Sequence, residues 1–371
     1  MERGKINMLQ RGLKGVIAAE TAIAHVDGEK GKLIYRGYEI SEITSKYNFE
    51  ETAYLLWYGK LPTAEQATKL KEQLVHNRTL SDYQMEVLKL LPKDMNMMSV
   101  LRTIISAEGN QSYQWPPTID EAIRLTSITP LIIAFRKRLM ENLDIVQPNK
   151  HLNHVANYLY MLTGKKPAEA HVNALETYMI LTMEHGMNAS TFAARVAAST
   201  ESEIISAITS AIGTMKGPLH GGAPAEVIHL LDEIKADGNT QRVLKEKITR
   251  GEKLMGFGHR IYKTVDPRSV ALKEKLIAFA GSDEWLDLSI EVEEIGIQLL
   301  EELKPGRSLY TNVEFYAAAI MKAIEMDKQL FTPTFTASRM VGWTAHVLEQ
   351  AENNVIFRPQ SAYIGQYNMN I

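Results

Sequence analysis

Along most of this chain apolar residues return every three or four positions, the period of a helix that buries one face. The exception lies near the start. From Gly15 to Gly37 apolar and polar positions alternate around Asp27-Gly-Glu-Lys-Gly31, which predicts a small hairpin rather than part of a large sheet. After Tyr38 the helical period takes over. Thr63 with Gln66, Ser81 with Gln84 and Thr118 with Glu121 stand at capping-box spacing ahead of apolar runs and mark three helix starts. Pro130 is expected to kink or end the third, and the polar Gln147-Pro-Asn-Lys150 reads as a connecting loop.

Pro167 is expected to open a long helix that stops at Gly186 and carries His185 on its last turn, with Asn188-Ala-Ser-Thr starting the next. Alanines 193, 194, 197, 198 and 207 let the helices around them approach closely. Pro224 with Gly238 and Pro267 with Gly281 frame two more helices, and Trp285 to Leu303 is amphipathic. Asn312 caps a helix expected over Val313 to Met326, and Pro333 opens the last. No internal repeat of roughly 20–50 residues and no low-complexity segment interrupts the pattern. The expected fold class is all-α with a minor N-terminal β element.

Composition narrows what such a protein can do. At 371 residues the chain exceeds what one core usually supports, so a large and a small domain are expected. A formal net charge of -3 argues against general binding to nucleic acid or an acidic membrane, while leaving room for a local basic pocket. With no cysteine there is no disulfide, thiolate metal site or cysteine nucleophile. Met1 to Met8 lacks the apolar stretch of a signal peptide, and no later run reaches membrane-spanning length without charges, so the cytoplasm is the expected compartment.

Candidate chemistry gathers in three stretches. In Met255-Gly-Phe-Gly-His-Arg-Ile-Tyr-Lys263, two glycines bring bare backbone beside His259, and Asp266-Pro-Arg268 then caps and opens a helix close to the same basic groups. Lys216-Gly-Pro-Leu-His-Gly-Gly-Ala-Pro224 places His220 ahead of a helix start, where the dipole keeps imidazole neutral. Tyr310-Thr-Asn-Val-Glu-Phe315 makes Glu314 the second residue of a capped helix, where the same field favours carboxylate, an available base. Taken singly, an acidic residue in a first turn also has a purely structural explanation. His185, His220 and His259 all flank glycines and helix ends, where free N–H groups meet ligands. Arg268, Arg339 and Arg358 stand among apolar or small residues, and guanidinium is the natural clamp for a carboxylate, or half of a structural ion pair. Arg260, Lys263, Lys304 and Arg307 form basic clusters that suit phosphates or a solvated face. The dinucleotide and P-loop fingerprints are incomplete, and no His-Glu-x-x-His pairing supports zinc.

Together, Gly217-Pro-Leu-His-Gly-Gly-Ala223, Gly256-Phe-Gly-His-Arg260 with Asp266-Pro-Arg268, and Asn312-Val-Glu-Phe315 resemble the citrate synthase family. The resemblance extends from Ile34-Tyr-Arg-Gly-Tyr38 through Met98-Ser-Val-Leu-Arg102 and Glu184-His-Gly-Met-Asn-Ala-Ser190 to Ile356-Phe-Arg-Pro359. It implies a homodimer of large domains 1–221 with 328–371 and small domains 222–327, which close on acetyl-CoA and oxaloacetate to give citrate and CoA, without metal or bound cofactor. Glu314 would be the base, His220 the holder of the thioester oxygen and His259 the acid at the oxaloacetate carbonyl. His185, Arg268, Arg339 and, from the partner subunit, the residue matching Arg358 would bind the carboxylates; Arg260, Lys263 and Arg307 fall where CoA is held. The family usually has aspartate where this chain has Glu314. Propionyl-CoA as donor, giving 2-methylcitrate, and a non-catalytic citrate or oxaloacetate sensor are the alternatives.

Overall fold

The computed structural model describes residues 10–221, 223–259, 261–277, 284–307 and 309–366. The predicted hairpin is present as β1 (Ala24–Asp27) and β2 (Lys32–Tyr35), antiparallel with Ala24 opposite Tyr35 and Asp27 opposite Lys32, and β3 (Tyr38–Glu39) adds a short third strand. Helices follow: α1 (Ile40–Lys46), α2 (Phe49–Tyr58), α3 (Ala64–His76), α4 (Asp82–Leu90), α5 (Met97–Glu108), α6 (Ile119–Met140), α7 (His154–Thr163) and α8 (Glu169–Thr182). Then come α9 (Ala189–Ala198), α10 (Ile204–Met215), α11 (Pro218–Gly221), α12 (Ala223–Asp237), α13 (Thr240–Thr249), α14 (Pro267–Ile277), α15 (Glu284–Leu303), α16 (Val313–Ala323) and α17 (Phe331–Glu352).

The three expected capping boxes form, at α3, α4 and α6, and Asn48 with Glu51 supplies a fourth at α2. Four expectations are corrected. Helix α6 runs through Pro130 for 22 residues, because Ala122 to Arg136 is buried on nearly every side and this packing outweighs the one lost backbone bond. Helix α8 ends at Thr182, so His185 lies beyond the helix, in an irregular turn. Helix α17 begins at Phe331, two residues ahead of Pro333, while α16 stops at Ala323 and not at Met326.

Helix α17 is the centre of the packing, in contact with α2, α6, α8, α9 and α10, and Trp343 on it is fully buried. Ala194 and Ala198 on α9 and Ala207 and Ala211 on α10 are completely buried, which is how small side chains let these two helices lie close together. Helices α12, α13, α15 and α16 pack on one another, and α8 touches both α16 and α17. The start of α16, the end of α8 and one face of α17 therefore meet. Among the described residues no helix is long and apolar enough to cross a membrane.

Candidate active site

The loop carrying His259 is tied to the loop carrying Glu314. Phe257 bridges Thr311 as an isolated antiparallel pair, Gly258 N donates to Tyr310 O at 2.7 Å, and Asn312 N donates to Gly256 O at 2.8 Å. Asn312 does two jobs: its Oδ1 accepts from Glu314 N at 3.0 Å, capping α16, and its Nδ2 donates to Gly258 O at 2.8 Å. Both glycines have positive φ, +85° at Gly256 and +83° at Gly258, and a Cβ on Gly256 would come within 2.9 Å of the Phe315 ring.

On the other side, the hairpin turn presses against the same loop. Lys263 N donates to Gly28 O at 2.8 Å, and a Cβ on Gly28 would lie 2.3 Å from Ile261 O. The hairpin is thus a buttress for the segment after His259. The closely spaced glycines of Asp27-Gly-Glu-Lys-Gly31 were the only sign of it in the sequence.

His259 Nδ1 accepts from the backbone N–H groups of Ile261 and Tyr262, both at 3.1 Å. The ring's proton is therefore on Nε2 when it is neutral. Arg268 Nη2 sits 3.2 Å from that Nε2. A guanidinium nitrogen cannot accept, so the two are neighbouring donors. Arg268 is fixed by Asp266, whose Oδ1 accepts from Nε at 3.0 Å and whose Oδ2 accepts from Nη2 at 2.8 Å. Burial pushes Asp266 up, but Arg268 outweighs it and holds the carboxyl below its ordinary range; in return Arg268 is raised against its own burial. Burial and Arg268 lower His259 to about 4, so it is a neutral donor at pH 7.

His220 is on the short α11, with Nε2 2.7 Å from Ser190 Oγ. Ser190 donates to Asn188 Oδ1 at 2.8 Å and accepts from Trp343 Nε1 at 3.1 Å. Its single proton decides the tautomer. On Asn188 it obliges His220 to carry hydrogen at Nε2; turned to His220 it leaves the imidazole proton on Nδ1. Burial, then Arg339, lowers His220 to about 4, so the ring is neutral chiefly through desolvation and not, as the sequence suggested, through a helix dipole. His185 Nε2 lies 3.1 Å from the Tyr262 hydroxyl, and its ring is edge-on to His259 at 5.8 Å. Burial, Arg268, Arg339 and His259 keep it far below the ordinary histidine range.

Glu314 is the largest departure from expectation. Burial pushes its carboxyl up to about 7, only partly opposed by Arg268 and Arg339, and its Oε2 is buried without a hydrogen-bond partner among the described residues. Desolvation therefore overrides the helix-dipole effect that favoured a carboxylate. Arg339, buried on α17, donates from Nε to Thr182 O at 2.7 Å and lies over the Phe335 ring.

The structure thus brings His185, His220, His259, Glu314, Arg268 and Arg339 into one electrostatic neighbourhood, in which the protonation of each is shifted by at least one other member. Three of the remaining candidates are not in it. Lys263 and Arg307 are exposed on the surface, and Arg260 lies outside the described residues. Arg358 is exposed and lines a cavity of about 650 Å³ with the Ala18–Ala22 stretch, Arg195, Glu349 and Phe357, none of them in the buried set. Ser190, Tyr262 and Trp343 were missed as site residues; nothing in their local sequence marks them, because their partners are distant in the chain. Among the described residues no cluster of three or more His, Asp or Glu side chains is arranged to hold a metal. Such a set can grip carboxylates with two guanidinium groups, offer neutral N–H donors to carbonyl oxygens and accept a proton on a carboxylate poised near neutrality.

An all-helical protein with this acid–base and anion-gripping site has a well-populated kin. The sequence matches the family described as "Citrate synthase, C-terminal domain" over residues 12–360. It is 39% identical to a citrate synthase of Haloferax volcanii, covering 97% of each chain. It is 38% identical to a 2-methylcitrate synthase of Mycobacterium tuberculosis, covering 96% of this chain and 91% of that one. The fold superimposes with a TM-score of 0.86 on a citrate synthase from Thermoplasma acidophilum in ternary complex with carboxymethyl coenzyme A and oxaloacetate, at 29% identity and 98% coverage of both chains. The chain belongs to the citrate synthase family.

Proposed function

We propose that this chain condenses acetyl-CoA with oxaloacetate and water to give citrate and CoA. The observation that carries the reading is the pair of donors at His259 Nε2 and Arg268 Nη2, 3.2 Å apart, in the same buried neighbourhood as a carboxyl near pKa 7. Oxaloacetate offers a carbonyl and two carboxylates to such donors. Its carbonyl accepts from His259, while Arg268 and Arg339, with His185, take the carboxylates. Glu314 removes a methyl proton from acetyl-CoA, a task for which a base near the working pH is better matched than an ordinary carboxylate. With the Ser190 proton turned to Nε2, His220 carries its own on Nδ1 and donates to the thioester oxygen as negative charge develops there. The enolate carbon then attacks the carbonyl carbon, the oxygen formed takes its proton from the His259 side, and water cleaves the thioester to release CoA.

The reading includes a cytoplasmic homodimer with no resident metal or cofactor, in which segment 222–327 closes over 1–221 and 328–371. Arg358 then reaches the partner's site, and Arg260, Lys263 and Arg307 meet CoA. The exposed position of Arg358, outside the buried set, supports a role away from its own protomer's site. A second reading, 2-methylcitrate synthesis from propionyl-CoA, is favoured by the near-equal identity to relatives of both names, 39% and 38%. One methylene in an acyl pocket is worth only about 1–3 kcal/mol. The test is thiol release from acetyl-CoA and from propionyl-CoA with oxaloacetate present. Faster release from acetyl-CoA supports the first reading, the reverse supports the second, and calorimetric binding of oxaloacetate without thiol release from either would make the protein a sensor.

A further inference from the structure

Next to His185 in sequence, Glu184 is completely buried, and so is His346, whose Nε2 stands 3.2 Å from Glu184 Oε1. Arg195 Nε donates to His346 Nδ1 at 2.9 Å, and because guanidinium only donates, the histidine proton must be on Nε2, facing the carboxylate. The main chain of Glu184 is pinned as well: its N–H donates to the Tyr35 hydroxyl at 3.0 Å, and that hydroxyl donates to its carbonyl at 2.7 Å. On α17, Arg339, Gly342 and His346 recur at intervals of three and four and share one face. The side chain of Glu184 lies along that face. A Cβ on Gly342 would stand 2.5 Å from Glu184 Oε2 and 2.3 Å from Met183 O, so glycine is required for the carboxylate to lie there. One helical turn earlier, Arg339 donates to Thr182 O at 2.7 Å.

A carboxylate has thus been built into the back of the anion site, on the same helix face as the arginine that would hold a substrate carboxylate. The groups facing it are the His346 Nε2–H and the backbone N–H of Gly186. Burial alone would push Glu184 up, but His346 and Arg339 bring it below its ordinary range, and Glu184 in turn supports the charge of Arg339 against burial. A buried cation without a counter-ion is expensive, whereas a counter-ion that stays in place repels an incoming anion.

We propose that Glu184 is a positioning residue that keeps Arg339 charged and oriented in the ligand-free protein and thereby sets, by repulsion, how tightly oxaloacetate is held. His346 and Arg195 secure it. This rests on the assignment of oxaloacetate to the Arg268–Arg339 site.

Glu184→Gln keeps size and removes the charge. Calorimetric titration with oxaloacetate should give a Kd about tenfold lower than wild type, the change that about 1.4 kcal/mol produces. The ligand-free variant should melt lower than wild type, and its rise in Tm on adding oxaloacetate should be larger. His346→Leu takes away the proton donor of Glu184, favours its neutral form and should lower Kd in the same direction by a smaller factor, so either variant recovered folded supplies the reading. An unchanged or weaker Kd in a folded variant overturns the proposal, because a carboxylate that merely packs would alter melting without tightening oxaloacetate. No oxaloacetate binding to the wild-type protein would instead overturn the site assignment, and this inference with it.

Discussion

Asp266 and Glu314 stand at the starts of two touching helices, α14 and α16, and their carboxyl groups meet opposite fates. Asp266 accepts from Arg268 N at 3.0 Å and from Val313 N at 3.2 Å, so it serves both helix starts while also holding the Arg268 side chain. Glu314, one residue beyond Val313, has a buried oxygen that receives no hydrogen bond among the described residues. Burial pushes both carboxyls up; Arg268 and the backbone amide bring Asp266 back below its ordinary range, whereas Glu314 stays near 7. Since each belongs to a helix N-terminus, the dipole does not separate them. The adjoining charge of Arg268 and hydrogen bonds to the charged form do. The anion-binding framework is already satisfied in the resting protein, while the candidate base is left wanting a proton.

The largest test of that contrast is Glu314→Gln. Without a base, kcat should fall by about 10²–10⁴, while the fold gains. The folded pKa of Glu314, about 7, lies above the ordinary 4.5, so this group costs stability increasingly as pH rises from 4.5 to 7 and fully above that. The variant should therefore be more stable than wild type at pH 8, by on the order of 1–3 kcal/mol, and the gap should close toward pH 4.5. Urea melts at the two pH values measure it; a less stable variant at pH 8 would mean that the carboxylate is paired.

Asp266→Asn should do the reverse. It leaves a buried guanidinium without its partner, at a cost of about 3–5 kcal/mol of stability. The folded pKa of Asp266 is depressed, so its contribution is present above the unfolded value and lost as pH falls through the folded one. The deficit of the variant in urea melts should accordingly be full at neutral pH and shrink in acid. A variant with wild-type stability at pH 7 would break the comparison.

A third outcome concerns the wild-type rate. With Glu314 near 7 and His220 and His259 near 4, kcat/KM should fall about tenfold per pH unit below 7 as the base is protonated, with no histidine limb between pH 5 and 8. Glu314→Gln should lose that limb from whatever activity survives. A limb retained in the variant would assign the titration to another group.

Much of this site was legible in the chain itself. His220, His259 and Glu314 announce themselves through the glycines and the Asn312 cap beside them, which are local devices with local signals. The capping boxes and the hairpin were readable for the same reason. Quantities set by distant parts of the chain were not. Whether Pro130 ends a helix depends on how α6 is buried, and the protonation of Glu314 depends on helices far away in sequence that exclude water from it. Ser190 looks like any serine early in a helix until His220, thirty positions later, is found 2.7 Å from its hydroxyl. Glu184 and His346 form a pair across 162 positions, with nothing at either place to announce the other.

The smallest expected effect belongs to Glu314→Asp, and it tests how the longer base is used. Removing one methylene withdraws the carboxylate by about 1.5 Å, and a displacement near 1 Å at a reacting carbon can cost about a hundredfold in rate. The same withdrawal carries it toward the N-terminus of α16, where amide groups and the dipole favour the charged form. The two effects act on different observables. Misplacement lowers the rate at every pH, whereas a better-solvated carboxylate moves the acid limb below 7 and raises the fraction of active base in mildly acidic buffer. We expect activity to be retained within about tenfold of wild type, with the limb shifted to lower pH. A folded aspartate variant without activity would show that the site is shaped around glutamate. An unmoved limb with retained activity would show that desolvation, and not the reach of the side chain, sets the proton affinity of this position.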